Sequence, residues 1–317
     1  MKYKDTGKKD TRSGFGAGLL EAARKNPDIV ALAADLKGSV KMGDFGKEFP
    51  DRFFECGIAE ANMIGVAAGL AVAGKVPFAG SFAEFITGRV YDQIRQEVAY
   101  GHTNVKLASS HSGITLGEDG ATHQTMEDIA LMRALPGMVV LVPCDCNQTR
   151  QATLAAAEYV GPVYLRFGRP AMPNFTDPDQ PFEIGRTYNM NPGTDVTILA
   201  CGHLVWAALQ AAGRLEAEGI SAEVLNCSSI KPFDEKTLID SVRKTRALVV
   251  AEEHNMAGGL GELAAGVLAA NEPVPVEYVN GGDKFGISGS PAKLLEAYGL
   301  DENGISAAVG RVLARKR

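Results

Sequence analysis

A single carboxylate opens an otherwise apolar stretch of the sequence. Residues 53–74, FFECGIAEANMIGVAAGLAVAG, have the composition of a helix rich in small residues, with Glu60 at its start. Burying a carboxyl group costs free energy unless the group is hydrogen-bonded or takes up a proton. Such a group is a candidate proton shuttle. The alternative is that Glu60 caps the first turn of the helix, where the positive end of the helix dipole favours an anion.

A glycine-rich segment carries a second set of chemical groups. Residues 109–124, SSHSGITLGEDGATHQ, contain His111, Asp119 and His123 directly after a predicted strand at 104–110. In open parallel sheets, ligands bind at the carboxyl ends of strands, and a long loop at that edge is often functional. The histidine spacing matches no standard metal site, so a metal centre is the less favoured interpretation.

Two further pairs follow predicted strands. Phe82 and Phe85 lie one helical turn apart on one face, a spacing that is also typical of an apolar core. Arg166 and Arg169 follow a strand at 162–167, and their planar guanidinium groups suit phosphate recognition. A solvated arginine pair is the alternative.

The elements that must position these groups alternate in type. Apolar runs of strand length are separated by helical patterns, which indicates parallel α/β layers. The predicted strands of the first half are 28–34, 76–81, 104–110, 138–143 and 162–167, and those of the second half are 195–202, 222–227, 247–253 and 274–279.

A change of character near residue 170 predicts the domain boundary. Residues 169–195 hold five prolines and little periodicity, which favours an extended connector. We therefore predict a first domain over 1–170, a linker over 171–194 and a second domain over 195–317. In the second domain, helices are expected over 204–218, near 235–243 and over 259–270, followed by two terminal helices.

The composition excludes several classes of protein. A chain of 317 residues with 45% hydrophobic and 22% charged residues is typical of a soluble globular protein. A net charge of −6 and the lack of a basic, aromatic stripe argue against nucleic-acid binding. Five cysteines suit a reducing compartment, and no apolar run approaches the length of a membrane span. We expect a cytoplasmic protein.

Together these motifs resemble the transketolase family of thiamine-diphosphate enzymes. The resemblance rests on GIAE at 57–60, GEDGATHQ at 117–124, ALAADLKGS at 31–39, and the second-domain runs VLNCSSIKPFD and VVAEEHNMAGGLGE. It covers essentially the whole chain and corresponds to the C-terminal half of those enzymes. It implies a pyrimidine-binding domain, with a parallel sheet between helices, followed by an α/β domain of the transketolase C-terminal type.

The resemblance implies thiamine diphosphate as the cofactor. Glu60 would hydrogen-bond the N1′ atom of its aminopyrimidine ring, and Phe82 and Phe85 would wall that ring. Ile58 and Asp35 match further positions near the cofactor. One departure is Gly88, which stands where many transketolases carry an aromatic ring over the pyrimidine.

The resemblance also implies the reaction and the substrate site. A two-carbon ketol unit would pass from a ketose phosphate to an aldose phosphate. Asp119 would contact an acceptor hydroxyl, and His123 would lie near the reacting carbon, which makes His111 and His123 catalytic candidates beside Glu60. The expected phosphate ligands are Arg12, Ser39, His111 and Arg169.

One family motif does not occur in this sequence. Transketolases hold the cofactor diphosphate through Mg²⁺ with GDG followed by a distant Asn, and neither GDFG at 43–46 nor GEDG at 117–120 spells it. The resemblance therefore implies a split enzyme in which an N-terminal partner subunit binds the diphosphate and Mg²⁺, in an α2β2 assembly. Alternatives are the β subunit of a 2-oxo acid dehydrogenase, 1-deoxyxylulose-5-phosphate synthase, and a non-catalytic partner-binding subunit. Pentose phosphates and modified or sulfonated ketoses both remain open as substrates.

Overall fold

The computed structural model describes residues 3–316. The strands of this part are β1 (Lys9–Asp10), β2 (Ile29–Ala33), β3 (Phe53–Glu55), β4 (Val76–Phe82), β5 (Lys106–Ser110), β6 (Val139–Leu141), β7 (Val163–Arg166), β8 (Ala171–Met172), β9 (Tyr188–Asn191), β10 (Val196–Ala200), β11 (Ala222–Asn226), β12 (Ser229–Lys231), β13 (Leu248–Ala251) and β14 (Val276–Val279). The helices are α1 (Thr11–Lys25), α2 (Gly43–Glu48), α3 (Glu60–Val72), α4 (Ala83–Ile86), α5 (Tyr91–Gln93, continued by a π-helical segment to Tyr100), α6 (Asp128–Ala134), α7 (Cys146–Glu158), α8 (Leu204–Ala217), α9 (Glu235–Thr245), α10 (Leu260–Asn271), α11 (Pro291–Tyr298) and α12 (Glu302–Ala314).

The first domain is built on a seven-stranded sheet with the order β12-β6-β7-β5-β4-β2-β3. Strands β2 to β7 pair in parallel, and β2, β4, β5, β6 and β7 are buried along their whole length. Helices on both faces explain why these strands read as continuous apolar runs. The carboxyl ends of the neighbours β7, β5, β4, β2 and β3 therefore line one edge of the sheet.

The second domain has a five-stranded sheet with the order β14-β13-β10-β11-β9. Strands β14, β13, β10 and β11 are parallel, as the alternating pattern predicts. The two domains share apolar packing, because buried side chains such as Ile129 and Val142 of the first domain belong to the same core cluster as Leu199 and Leu225 of the second. The mixed α/β architecture is confirmed.

The predicted connector is more ordered than its sequence suggests. Strand β8 pairs with β1, and β9 forms the antiparallel edge of the second sheet against β11. Both strands are only two to four residues long, so they give too little periodicity to be read among the prolines.

The prediction of one helical stretch over 53–74 is wrong at its start. Phe53–Glu55 form β3, an edge strand that pairs in parallel with β2, and a turn with Gly57 at φ +67° leads into α3. Aromatic residues favour a strand, and the pairing with β2 decides the outcome. The helix itself begins at Glu60, as expected. Among residues 3–316, none of the helices combines the length and apolar character needed to cross a lipid bilayer.

A buried carboxylate fixes the connector to the first domain. Asp145 caps α7 by accepting the Gln148 N–H at 2.8 Å. It also accepts the N–H groups of Phe175 and Thr176 at 2.8 and 2.7 Å and the Thr176 hydroxyl at 2.7 Å. The Asp145 carboxylate therefore accepts hydrogen bonds both from the start of α7 and from a turn of the connector.

We expect Asp145→Ala to lower the free energy of unfolding by about 3 kcal/mol or more, because a cap and several buried donors lose their acceptor. Urea unfolding followed by circular dichroism measures the effect. Asp179→Ala, in the exposed part of the connector, is the control and should change stability by less than about 0.5 kcal/mol. Equal urea midpoints for the two variants would contradict this role.

Candidate active site

The Arg12 guanidinium contacts the other three predicted phosphate ligands. Its Nη1 lies 3.2 Å from the Ser39 carbonyl oxygen and 3.3 Å from His111 Nε2, and its Nη2 donates to the Arg169 carbonyl oxygen at 3.0 Å. Asp10 fixes the guanidinium from behind, with 3.1 Å between Arg12 Nε and Asp10 Oδ1. Residues distant in sequence thus meet at the carboxyl edge of the sheet, although Ser39 meets Arg12 through its backbone.

His111 is held as a neutral imidazole. Its backbone has a φ of +59°, and its ring stacks on Phe82 with 3.8 Å between ring centroids. Because Arg12 can only donate, Nε2 of His111 must accept, and Nδ1 is left to donate to Ser110 Oγ at 2.7 Å. Burial lowers the pKa of His111 to about 3, and the charges of Arg12 and Arg169 act in the same direction.

Glu60 lies buried at the first position of α3, with 3% of its surface exposed. It is the acidic residue of the first helical turn, and the N-cap residue, Ala59, makes no side-chain capping hydrogen bond. Arg89 Nη1 donates to Glu60 Oε2 at 3.2 Å, and the same guanidinium lies 4.2 Å from the centre of the Phe85 ring. The carboxylate thus lies in the first turn of α3, where the capping interpretation puts it, and is also paired with Arg89, so both interpretations of Glu60 stay predictions.

A row of aromatic rings lies between the Arg12 cluster and Glu60. Phe82 and Phe85 are nearly parallel at 5.8 Å, and the partly buried His123 meets the Phe85 ring edge-on at 5.3 Å. His123 Nδ1 also lies 2.9 Å from Thr122 Oγ1. The rings extend from His111, on the phosphate side, to Arg89 beside Glu60.

The remaining predicted residues lie at the rim. Asp35, with φ +57°, donates its N–H to Glu55 Oε1 at 2.7 Å and leaves its side chain exposed. Ile58 is 78% exposed two residues before Glu60, and Asp119 is exposed on the glycine-rich loop. Gly88 is also exposed, and a Cβ there would lie 3.7 Å from the nearest atom of Glu84, so the backbone leaves room for a side chain.

Arg166 is not available to a phosphate. It is buried with Asp128, at 2.6 Å between Nε and Oδ2 and 3.2 Å between Nη2 and Oδ1. Burial opposes charge on Asp128, but the Arg166 guanidinium holds its pKa below the ordinary value. Neither candidate role for Arg166, as phosphate ligand or solvated residue, is correct. Arg169, by contrast, is partly exposed and donates to the Leu116 carbonyl oxygen at 2.6 Å and to Glu118 Oε2 at 3.4 Å.

Sequence reasoning missed two charged residues near Glu60. Arg89 follows the aromatic pair Phe82 and Phe85 in the sequence, and an arginine after a glycine is typical of an exposed position. Glu84 lies on α4, where burial raises its pKa to about 7, with a further rise from Glu127 and an opposing effect of Arg89. In the described part of the chain, no three or more His, Cys, Asp or Glu side chains are grouped so as to hold a metal ion.

Comparison with known proteins places this site in a family. Residues 7–174 match the model of the transketolase pyrimidine binding domain, and residues 185–305 match that of the transketolase C-terminal domain. The chain is 46% identical, over 94% of its length and 92% of the relative, to the 6-deoxy-6-sulfo-D-fructose transketolase subunit SqwH of a Clostridium species. It is 45% identical to a putative transketolase C-terminal section of Methanocaldococcus jannaschii, with 94% of each chain covered.

The fold comparison agrees with the sequence comparison. A solved structure described as a split gene transketolase, inactive beta4 tetramer, superposes with a TM-score of 0.91 and 48% identity, over 98% of this chain and all of that one. The chain belongs to the transketolase family, whose enzymes depend on thiamine diphosphate. Within that family it corresponds to the pyrimidine-binding and C-terminal domains, which confirms the resemblance and the predicted order of the two folds.

We expect His111 to stay neutral in the folded chain from pH 8 down to about pH 4, since its pKa is about 3. The unfolded chain takes up a proton below about pH 6.5, so this residue lowers folding stability as the pH falls from about 6.5 towards 3. Proton NMR of the imidazole C2–H measures its titration. Arg12→Met should raise the pKa of His111, because a nearby positive charge is removed.

The control variant is Arg24→Met, which removes an exposed guanidinium that contacts Glu48 instead. It should leave the titration of His111 unchanged. A His111 midpoint near 6.5 in the unsubstituted chain would contradict the assignment.

Proposed function

We propose that this protein is the C-terminal subunit of a thiamine-diphosphate-dependent transketolase. The subunit would transfer a two-carbon ketol unit from a ketose phosphate to an aldose phosphate. The observation that supports this most directly is the buried Glu60 beside Phe85, on the same sheet edge as the cluster of Arg12, His111 and Arg169. One site thus combines a carboxyl group, an aromatic wall and an anion-binding cluster.

The residues present fit the aminopyrimidine ring. The planar, cationic guanidinium of Arg89 already makes a hydrogen bond to the Glu60 carboxylate and a stacking contact with Phe85. These are the two contacts that the family resemblance assigns to the coenzyme ring. Arg89 is half exposed, so the ion pair contributes little stability and the guanidinium can be displaced.

When bound, thiamine diphosphate supplies the nucleophilic carbon and the electron sink for cleaving the bond next to a ketose carbonyl. Glu60 would share a proton with the N1′ atom of the ring, in a buried position where water does not compete for that proton. Phe82 and Phe85 would orient the ring by stacking.

The Arg12 cluster would bind the charged end of the sugar. Two guanidinium groups offer charge-assisted hydrogen bonds to a tetrahedral oxyanion, and His111 would donate to it only in the tautomer that carries its proton on Nε2. His111 stays uncharged there because burial, and then the charges of Arg12 and Arg169, disfavour its protonation. A phosphate and a sulfonate have this chemistry in common. The Clostridium relative is named for a sulfonated sugar, so both classes should be assayed.

The diphosphate and Mg²⁺ would be bound by an N-terminal partner subunit that carries the GDG motif followed by Asn. This proposal is supported by the lack of that motif in the sequence and by similarity to relatives described as subunits or sections of transketolases. An α2β2 assembly would place each coenzyme between the two kinds of subunit.

Glu60→Gln keeps the shape of the side chain but cannot exchange a proton in the same way. In the complex with the partner subunit, we expect it to lower ketol transfer by about 10²-fold to 10⁴-fold. Single-turnover transfer from xylulose 5-phosphate to ribose 5-phosphate, and from a 6-sulfonated ketose, measures the effect. Glu48→Ala, at an exposed carboxylate, is the control. Near-normal transfer by Glu60→Gln would return Glu60 to a structural role.

Arg89→Ala should tighten coenzyme binding by about two- to tenfold, because the ring no longer has to displace an exposed ion pair and a cation–π contact. Isothermal titration of thiamine diphosphate into the complex measures the dissociation constant. Arg95→Ala, an exposed arginine on the next helical segment, should not change it. Weaker binding by Arg89→Ala would mean that Arg89 holds the coenzyme instead of giving way to it.

A further inference from the structure

Two adjacent carboxylates follow β13, and one bonds within the second domain whereas the other bonds to the first domain. Glu252 accepts the N–H groups of Leu260 and Gly261 at 2.7 and 2.8 Å and so stabilises the start of α10 in its own domain. The Glu253 side chain crosses into the first domain, where its Oε1 accepts the Thr115 N–H at 2.7 Å. Glu253 is 4% exposed, so this contact is dry.

The loop has a backbone shaped to receive this carboxylate. Gly113 has a φ of +78°, and a Cβ at that position would lie only 2.2 to 2.4 Å from the carboxyl atoms of Glu253. A side chain at position 113 would therefore collide with Glu253. The glycine admits the carboxylate to the short 3₁₀ turn Ile114–Leu116, where the Thr115 N–H meets it.

This turn lies between the groups that the proposed reaction needs. His111 precedes it by three residues and Asp119 follows it by three. The Leu116 carbonyl oxygen, at its end, accepts from Arg169 at 2.6 Å. A shift of the turn would therefore move the cation cluster and the acceptor side of the loop together.

Other contacts hold the carbonyl oxygens at both ends of the turn, whereas Glu253 accepts the N–H of its central residue, Thr115. Gln124 Nε2 donates to the carbonyl oxygens of Ile114, Gly117 and Ile287 at 3.0 to 3.1 Å, which closes the loop on itself and on the second domain. The Asn255 N–H donates to the Met126 carbonyl oxygen at 2.6 Å, beyond the loop.

We propose that Glu253 is a positioning residue for substrate binding, through which the second domain fixes the Gly113–Leu116 turn of its own chain. The inference rests on the proposed function for its kinetic consequence. Burying a carboxylate between domains is costly unless it is hydrogen-bonded, and Glu253 accepts the Thr115 N–H at 2.7 Å, whereas His203 Nδ1 lies farther away, at 3.5 Å from Oε2. Moving the turn away would break this hydrogen bond and leave the Glu253 carboxylate buried without that donor, so Glu253 favours the observed position of the turn.

The test compares Glu253→Ala with the conservative Glu253→Gln, whose amide oxygen can still accept the Thr115 N–H. Glu262→Ala is the matched control, because Glu262 is a carboxylate of the same domain that accepts the Gly258 N–H locally at 2.7 Å. In the complex with the partner subunit, the KM for xylulose 5-phosphate or the 6-sulfonated ketose, kcat and the coenzyme dissociation constant are measured. Hydrogen exchange of residues 113–117 is measured on the chain alone.

We expect Glu253→Ala to raise the KM about tenfold or more and to speed exchange of the Thr115 amide by a similar factor. Coenzyme affinity should stay within about twofold, and Glu253→Gln and Glu262→Ala should resemble the unsubstituted protein. Unchanged exchange, faster exchange with an unchanged KM, or a parallel loss of coenzyme affinity and thermal stability would each overturn the proposal. If the unsubstituted complex fails to transfer ketol units, the proposed function fails instead, and the exchange result still decides whether Glu253 fixes the turn.

Discussion

A buried ion pair connects the parts of this molecule that must act together. Arg166, on the last position of β7, holds Asp128 of α6 and donates to the Glu253 carbonyl oxygen at 2.9 Å. The Tyr164 hydroxyl donates to Asp128 Oδ2 at 2.6 Å. Removing either charge would leave the other unpaired in the interior, which typically costs about 3 to 5 kcal/mol. The central sheet, the helix after the glycine-rich loop and the second domain thus depend on one pair.

The site has an uneven distribution of charge. One end carries the guanidinium groups of Arg12 and Arg169, each beside a carboxylate, and the other end carries Glu60 paired with the guanidinium of Arg89. The aromatic rings lie between the two ends. An anionic ligand group would meet two guanidinium groups at the first end and a single one, already paired with Glu60, at the other, although the whole chain has a net charge of −6. This polarity would give a bound sugar a single direction along the row of rings.

Much of the fold follows from local pattern. The buried parallel strands are short apolar runs, and the rule that ligands bind at their carboxyl ends pointed to the loop of His111, while Phe82 and Arg169 follow predicted strands. Glu60 stood out only as a lone carboxylate in an apolar stretch, because the strand before it, β3, was not predicted. The pattern could not separate a buried arginine from a solvated one, so Arg166 was misassigned. It also gave no indication of Glu253, because the partner of Glu253 lies 138 residues earlier in the chain. Contacts of that kind depend on how the domains pack, which no local window contains.

Strand β12 has a consequence for the independence of the domains. Residues Ser229–Lys231 come from the second half of the chain, yet they pair antiparallel with β6 and form the outer edge of the first sheet. A fragment that ended in the connector would leave β6 with unpaired N–H and C=O groups, a ready template for association with other chains. The two halves of the chain are therefore distinct domains that do not separate cleanly. A chimaera that exchanges the first domain with a homologue would also have to include β12 of that homologue.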